Sequence, residues 1–170
     1  LALVLGVIVA QGALGWLMVA SGLVDAPHVS PFRLAAHFVV GVSILGAFAW
    51  AASEPASSPP ARGARAATLL ALALGAITVA LGALMAGFHA GLVCATFPKM
   101  NGAWAPPLRA SAWDAMTIHF LHRLFAVLVT LASLVVSAMI WGSSRAARAL
   151  ALSVSLQLVL GALVVLRHVP

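Results

Sequence analysis

Charged residues are scarce in this sequence. They account for 7% of its 170 residues, whereas 64% are hydrophobic. A soluble domain carries about 25% charged residues, so these few charges cannot cover a surface that faces water. The sequence is therefore predicted to fold within a lipid bilayer.

Acidic and thiol groups are scarcer still. The three acidic residues, Asp25, Glu54 and Asp114, all fall in predicted loops or near helix ends, which leaves no carboxylate inside the membrane for a proton-coupled transporter. Cys94 is the one cysteine, so no disulfide forms within these residues. The net charge is +6, but the basic residues are scattered and form no stripe on a helix, so no nucleic-acid partner is predicted.

Long apolar stretches are what the sequence has in abundance. Five of them reach the roughly 20 residues that a helix needs to cross a hydrocarbon core, at 2–24, 32–52, 67–93, 116–141 and 150–168. Lipid offers no hydrogen-bond partner to the backbone, so these stretches are predicted to be α-helices. The Ser-, Pro- and Arg-containing segment 54–66 is predicted to link two helical bundles.

The arginines predict an orientation. Segments 54–66 and 142–149 hold four arginines, whereas the loops of the other side hold Lys99 and Arg109. Cytoplasmic loops are enriched in basic residues. The two arginine-bearing segments are therefore predicted to be cytoplasmic, with the opposite helix ends toward the outside.

A short internal repeat joins two of the predicted helices. QGALGWLMV at 11–19 matches QLVLGALVV at 157–165 in five of nine positions, including a glutamine that is costly in a membrane helix. The two copies are offset by 146 residues. At this offset, the counterpart of His37 would fall beyond Pro170, and the counterpart of His122 would fall before Leu1. We therefore expect the sequence to be part of a longer protein with two similar bundles. The alternative is chance matching among Ala, Leu, Val and Gly.

Histidines and arginines occur where a membrane makes them expensive. His37 lies about 7 Å into its predicted helix at 1.5 Å per residue, and His122 lies at a similar depth from the same side. A neutral imidazole at this depth suits haem iron. Arg33 and Arg123, each near one of these histidines, suit haem propionates. The alternative for each histidine is a hydrogen bond to a neighbouring helix.

The remaining histidines give weaker signals. His119 lies three residues before His122 on roughly the same face, and it is either a second contact to a cofactor or substrate or a hydrogen-bonding group. His89 lies between two glycines and has the same two interpretations. His28 and His168 are interpreted as interfacial. A zinc site needs three or four clustered ligands, and the pair formed by His119 and His122 supplies only two.

Five groups of residues, in order along nearly the whole chain, resemble the haem A synthase family. They are QGALGWLMVASGL at 11–23, VSPFRLAAH at 29–37, AGFHAG at 86–91 with TFPKMNG at 96–102, HFLHR at 119–123, and LQLVLG at 156–161 with the final VP. The sequence departs from the family where His119 replaces a usual glutamine and His89 replaces a usual arginine. Cys94 and Ala95 stand where an aromatic residue and asparagine are common.

The resemblance implies an all-α integral membrane fold of eight helices in two repeated four-helix bundles, five of them present here. Residues 1–53 would be the second half of the N-terminal bundle, 54–66 the linker, and 67–170 most of the C-terminal bundle. His37 and His122 would be haem-iron ligands in different bundles, each paired with a histidine on another helix. Arg33, Arg123, His119 and His89 would contact the haem groups.

The resemblance also implies an activity, the oxidation of a haem O methyl group to a formyl group to make haem A for cytochrome oxidase. Haem b would be the resident cofactor, and an external donor would supply electrons. Haem O synthase or cytochrome oxidase assembly proteins are the expected partners, besides membrane lipid. The bundle that holds the catalytic haem is not assigned, and neither are catalytic residues. Two alternatives stay open, a non-catalytic haem-b electron-transfer subunit and a degenerate structural subunit of a respiratory complex.

Overall fold

The protein is all-helical. The computed structural model describes residues 2–23, 29–53, 61–106, 113–141 and 145–167. These residues form five α-helices: α1 Ala2–Leu23, α2 Pro31–Ala51, α3 Arg62–Gly87, α4 Ala115–Met139 and α5 Arg145–Leu166. One turn of 3₁₀ helix, Ala90–Leu92, follows α3. The predicted all-α class is confirmed.

The surface of these helices is apolar, as expected of helices that contact lipid. The helices α2, α3, α4 and α5 are each long and apolar enough to cross a membrane. In α1 the described apolar segment, Leu5–Ala20, is shorter than a full span, so four of the five predicted spans are confirmed at this length. Large apolar side chains point outward, and Trp50, for example, is 81% exposed. The chain is therefore an integral membrane protein.

Two predicted helices differ from the observed ones at their ends. The span predicted at 67–93 is observed as α3, which begins at Arg62 and ends at Gly87. His89 has φ 52°, a left-handed conformation that an α-helix does not continue through. The span predicted from 150 begins at Arg145. Alanine and arginine are strong helix formers, so the Ala- and Arg-rich segments predicted as loop ends extend both helices instead.

The start of α4 is well defined by a side chain. The Asp114 carboxylate accepts hydrogen bonds from the backbone N–H groups of Met116, at 3.1 Å, and Thr117, at 3.3 Å. Such a cap satisfies donors that have no partner within the helix. It places the first turn of α4 at a definite height, and the two histidines and the arginine that follow in α4 inherit that placement.

Helices that follow one another in sequence pack against one another. The α3–α4 contact is the most extensive, followed by α2–α3, α4–α5 and α1–α2. The start of α2 touches the end of α3 so closely that a Cβ on Gly87 would lie 2.6 Å from the Cα of Pro31. Phe32 packs edge to face on Phe88 and on Trp113, with ring centroids 5.8 and 4.9 Å apart. The starts of α2 and α4 therefore lie at the same end of the structure.

Candidate functional site

A glycine on one helix faces a histidine ring on the next helix in two places. A Cβ added to Gly82 of α3 would lie 2.9 Å from Cε1 of His122 in α4. A Cβ added to Gly15 of α1 would lie 3.0 Å from Cε1 of His37 in α2. Both distances are shorter than carbon atoms tolerate without movement. Each glycine therefore provides the space that a histidine ring occupies, a more specific role than the general helix packing expected of membrane glycines.

The ring of His122 is fixed through one of its nitrogens. Its Nδ1 lies 3.2 Å from the backbone carbonyl oxygen of Thr78, four residues before Gly82. A carbonyl oxygen only accepts, so Nδ1 is assigned as the protonated nitrogen. Nε2 then keeps its lone pair. This tautomer, held by a backbone carbonyl, is the form in which imidazole binds a metal ion.

The ring of His37 is placed differently. It lies against Gly15, but its Nδ1 is buried without a hydrogen-bond partner. The hydrogen bond that fixes this turn of α2 involves the backbone of His37 rather than its ring: the Nε2 of Gln11 donates to the carbonyl oxygen of His37 at 2.8 Å. His37 and His122 therefore belong to separate helical hairpins.

A cavity of about 900 Å³ opens beside His122, between α3, α4, α5 and the loop 88–106. Its volume falls in the range of about 300–1,000 Å³ that is typical of cofactor pockets. The lining is mostly apolar, and its polar members include Thr78, His89, His119, His122, Arg123 and Gln157. Such a site suits a large, flat, mainly apolar ligand that carries a few polar groups.

Arg123 fastens the loop 88–106 to α4. Its Nη1 donates to the carbonyl of Thr96 at 2.8 Å, and its Nη2 donates to the carbonyl of Cys94 at 3.1 Å. Its Nε donates to Nε2 of His119 at 2.8 Å. A guanidinium has five N–H groups, so two remain for another acceptor. The Nε2 of His119, which is 1% exposed, is already engaged and is not offered to a metal.

The loop 88–106 is ordered by its own contacts. The hydroxyl of Thr96 donates to the carbonyl of Lys99 and accepts from the backbone N–H of Asn101, both at 2.8 Å. The side chains of Cys94 and Met100 are 1% and 3% exposed. This loop forms a folded wall of the cavity, and Arg123 is the charged group that ties it to the helix.

Removal of the Arg123 guanidinium is expected to loosen this wall. Arg123→Gln deletes the two hydrogen bonds to the loop carbonyls, and bonds to a charged group contribute about 1.5–3 kcal/mol each. We expect tryptic cleavage after Lys99, in the middle of the loop, to become at least about tenfold faster in detergent. Arg33→Gln is the matched control, because Arg33 is exposed and, among the described residues, its guanidinium makes one hydrogen bond, of 3.4 Å, to the Leu17 carbonyl. Equal cleavage rates in the two variants would contradict this role.

The predicted site residues divide between the two hairpins. Four of them, His89, His119, His122 and Arg123, line the cavity. His37 and Arg33 lie in the α1–α2 hairpin instead. The side chain of His89 is exposed and starts from a left-handed backbone. The interfacial predictions for His28 and His168 concern residues outside those that the structure describes.

Sequence reasoning missed the residues that hold the histidines. Thr78 acts through its backbone carbonyl, which no side-chain pattern reveals, and Gly82 acts through the absence of a side chain. A signal was present in the spacing, since a glutamine or threonine stands four positions before a glycine in three helices. These pairs are Gln11 with Gly15, Thr78 with Gly82, and Gln157 with Gly161.

The whole chain matches a known protein family. The family described as "Cytochrome oxidase assembly protein" matches residues 1–170. The chain belongs to this family. Among its relatives, "Heme A synthase" of Anaplasma marginale (strain Florida) is 39% identical over 166 residues, which cover 89% of this chain and 47% of that protein. "Heme A synthase" of Neorickettsia sennetsu is 39% identical over 183 residues, with 99% of this chain and 55% of that protein covered.

The family match has a defined extent. The chain spans about half the length of the curated relatives that it matches, with 47% and 55% in the two cases above. "Heme A synthase" of Nitrosospira multiformis, 40% identical, is covered over 41% of its length. No solved structure matches the chain. The assignment to the family is therefore based on sequence similarity alone.

Proposed function

We propose that the intact protein is a haem A synthase, which oxidises a methyl group of haem O to a formyl group. The observation that carries the proposal is the state of His122, whose Nδ1 is held by the Thr78 carbonyl above Gly82 while its ring lines a cavity of about 900 Å³. Relatives named "Heme A synthase" at 39% identity support the same activity.

The residues of the cavity fit a haem. His122 has the tautomer that leaves Nε2 for iron, and the apolar lining suits the porphyrin face. Two N–H groups of Arg123 remain after its bonds to His119 and to the loop, and a guanidinium suits a propionate carboxylate. His89 and His119 line the same space. His119 orients Arg123 rather than binding iron, because its Nε2 accepts from that arginine.

The chain's own residues bind, orient and shield, while the haem, once bound, supplies the redox chemistry with oxygen and electrons that come from outside the chain. His122 holds one haem, and His37 with Arg33 nearby holds a second in the other hairpin. One of the two is the substrate haem O and the other is haem b. The loop 88–106 excludes water from the His122 cavity.

The proposed architecture extends beyond the described helices. Residues 1–53 belong to the second half of one four-helix bundle and residues 67–170 to most of another, with 54–66 between them and its last residues in α3. The relatives, about twice as long as this chain, support an eight-helix protein. Segments 54–66 and 142–149 face the cytoplasm, and the haem-ligand ends face outward. Membrane lipid, an external electron donor and haem O synthase or cytochrome oxidase assembly proteins are the proposed partners.

The test is the haem content of the intact protein. It would be purified from membranes, and its haem extracted, separated by chromatography and measured as the pyridine haemochrome. Haem O or haem A beside haem b is the expected result. Haem b alone would contradict the synthase and indicate an electron-transfer subunit. No haem at all would contradict both and leave a structural subunit of a respiratory complex.

A further inference from the structure

Gln11 is a polar side chain inside an apolar helix, and it makes one specific contact. Its Nε2 donates to the backbone carbonyl of His37, at 2.8 Å, across the α1–α2 interface. A helical carbonyl has a second lone pair that can accept such a bond. Its Oε1 is buried without a partner. An unpaired buried oxygen is unfavourable, so this side chain has an energetic cost at its position in α1.

Space for that contact is provided by a glycine on α2. Gly41 follows His37 by one helical turn, and a Cβ at this position would lie 3.1 Å from the Nε2 of Gln11. That distance is tighter than most carbon contacts, so any larger residue would press on the amide. Gly15 on α1 provides the corresponding space for the His37 ring. Two glycines and one glutamine thus surround a single histidine.

The two hairpins fix their histidines in different ways. In the α3–α4 hairpin the ring nitrogen of His122 is bonded to a carbonyl, and no glutamine is involved. In the α1–α2 hairpin the Nδ1 of His37 has no partner, and α1–α2 is the least extensive of the four contacts between successive helices. His37 is thus held less firmly than His122, both by hydrogen bonds to its ring and by helix packing. The bond from Gln11 to the His37 backbone therefore contributes more to fixing the position of this histidine.

We propose that Gln11 is a positioning residue for His37: it holds the turn of α2 that carries this histidine and would thereby keep the ring in place to bind a haem iron. The inference rests on the proposed role of His37 as a haem ligand. The contact that Gln11 makes is to the backbone of His37, so its effect on the ring is exerted through that backbone. Gly41 is part of the same device, because it keeps the path of the amide open.

A second glutamine has the same spacing. Gln157 precedes Gly161 by four residues in α5, as Gln11 precedes Gly15 in α1. Both residues line the cavity that His122 also lines, and no described atom lies within 4 Å of a Cβ added to Gly161. The glutamine–glycine pair of α5 therefore lies at the cavity beside His122, whereas the pair of α1 lies beside His37.

The experiment uses the intact protein and reads the two haems separately. The spectral component that disappears in His37→Ala identifies the haem held by His37. In Gln11→Met, which keeps the shape but has no donor, we expect the fraction of that haem that binds carbon monoxide after reduction to rise about three- to tenfold, the effect of losing one hydrogen bond. Gly41→Ala is expected to act in the same direction. The component lost in His122→Ala should not change.

Two glycines of the same helices provide matched controls. A Cβ on Gly12 of α1 or on Gly46 of α2 would meet nothing within 4 Å, so Gly12→Ala and Gly46→Ala should leave both haems unaltered.

The outcomes separate the two proposals. Loss of a haem in His37→Ala with no change in Gln11→Met and Gly41→Ala would overturn the positioning role and leave His37 as a ligand. Full haem content in His37→Ala would overturn the ligand role and the inference together. An equal effect of Gln11→Met on both haems would mean a general loss of packing and would also overturn the inference.

Discussion

His122→Ala is expected to remove one haem from the intact protein and leave the other in place. The substitution deletes the imidazole whose Nδ1 is bound to the Thr78 carbonyl and whose ring lines the cavity. Neighbouring His119 does not replace it, because the Nε2 of His119 is engaged by Arg123. The total haem per protein, measured as the pyridine haemochrome, should fall by about half. The occupancy of the His122 site alone should fall more than about tenfold.

His119→Ala is the matched control for this result. It removes a histidine from the same helix and the same cavity but leaves His122, whose Nε2 keeps its lone pair. We expect it to retain both haems and to speed tryptic cleavage after Lys99, because Arg123 loses an acceptor that orients it. Retention of both haems in His122→Ala, or loss of one in His119→Ala, would show that the ligand had been assigned to the wrong histidine.

Gly82→Ala is expected to weaken the same site without weakening the helix. The new methyl group would lie 2.9 Å from Cε1 of His122 and would push the ring away from the Thr78 carbonyl. Alanine is favoured over glycine in a helix by about 1 kcal/mol, so α3 itself is not made less stable. We expect haem occupancy at the His122 site to fall about tenfold, as one displaced ligand and one lost hydrogen bond imply.

A second glycine of α3 separates the site effect from the effect on the helix. A Cβ on Gly75 would lie 3.7 Å from a methyl group of Val129, an ordinary contact. Gly75→Ala should therefore keep full haem occupancy while gaining the same helix preference. If both substitutions gave the same occupancy, the space over Gly82 would not be needed by the histidine ring. Thermal unfolding in detergent, followed for both proteins, checks that neither is misfolded.

The spans and the candidate ligands could be predicted because they depend on local composition. A run of about 20 apolar residues has one stable conformation in lipid, and a histidine within such a run needs a reason to be there. The ends of α3 and α5 could not be read in the same way. Alanine and arginine suit both a helix and a polar loop, so composition does not show that α3 begins at Arg62 and α5 at Arg145. The end of α3 is followed by the left-handed backbone of His89, which composition does not show either.

Arg123 shows most clearly what a pattern leaves open. Its place next to His122 predicts a partner for a carboxylate, and two of its N–H groups remain for one. The folded chain adds carbonyls of Cys94 and Thr96, which lie more than 25 positions earlier, and the ring of His119. A long flexible side chain has many reachable acceptors, and only the return of the loop 88–106 to α4 selects among them.

The sequence by itself determined that this protein lies in a membrane, that its elements are helices, and which family it belongs to, because solvent, length and residue identity are properties of the chain alone. The tertiary structure decided which nitrogen of His122 is held, which glycines make room for the two histidine rings, and that Gln11 reaches the backbone of His37. Those features depend on distances of about 3 Å between residues that are 22 to 44 positions apart. Such distances are set by how neighbouring helices pack, and no local pattern contains them.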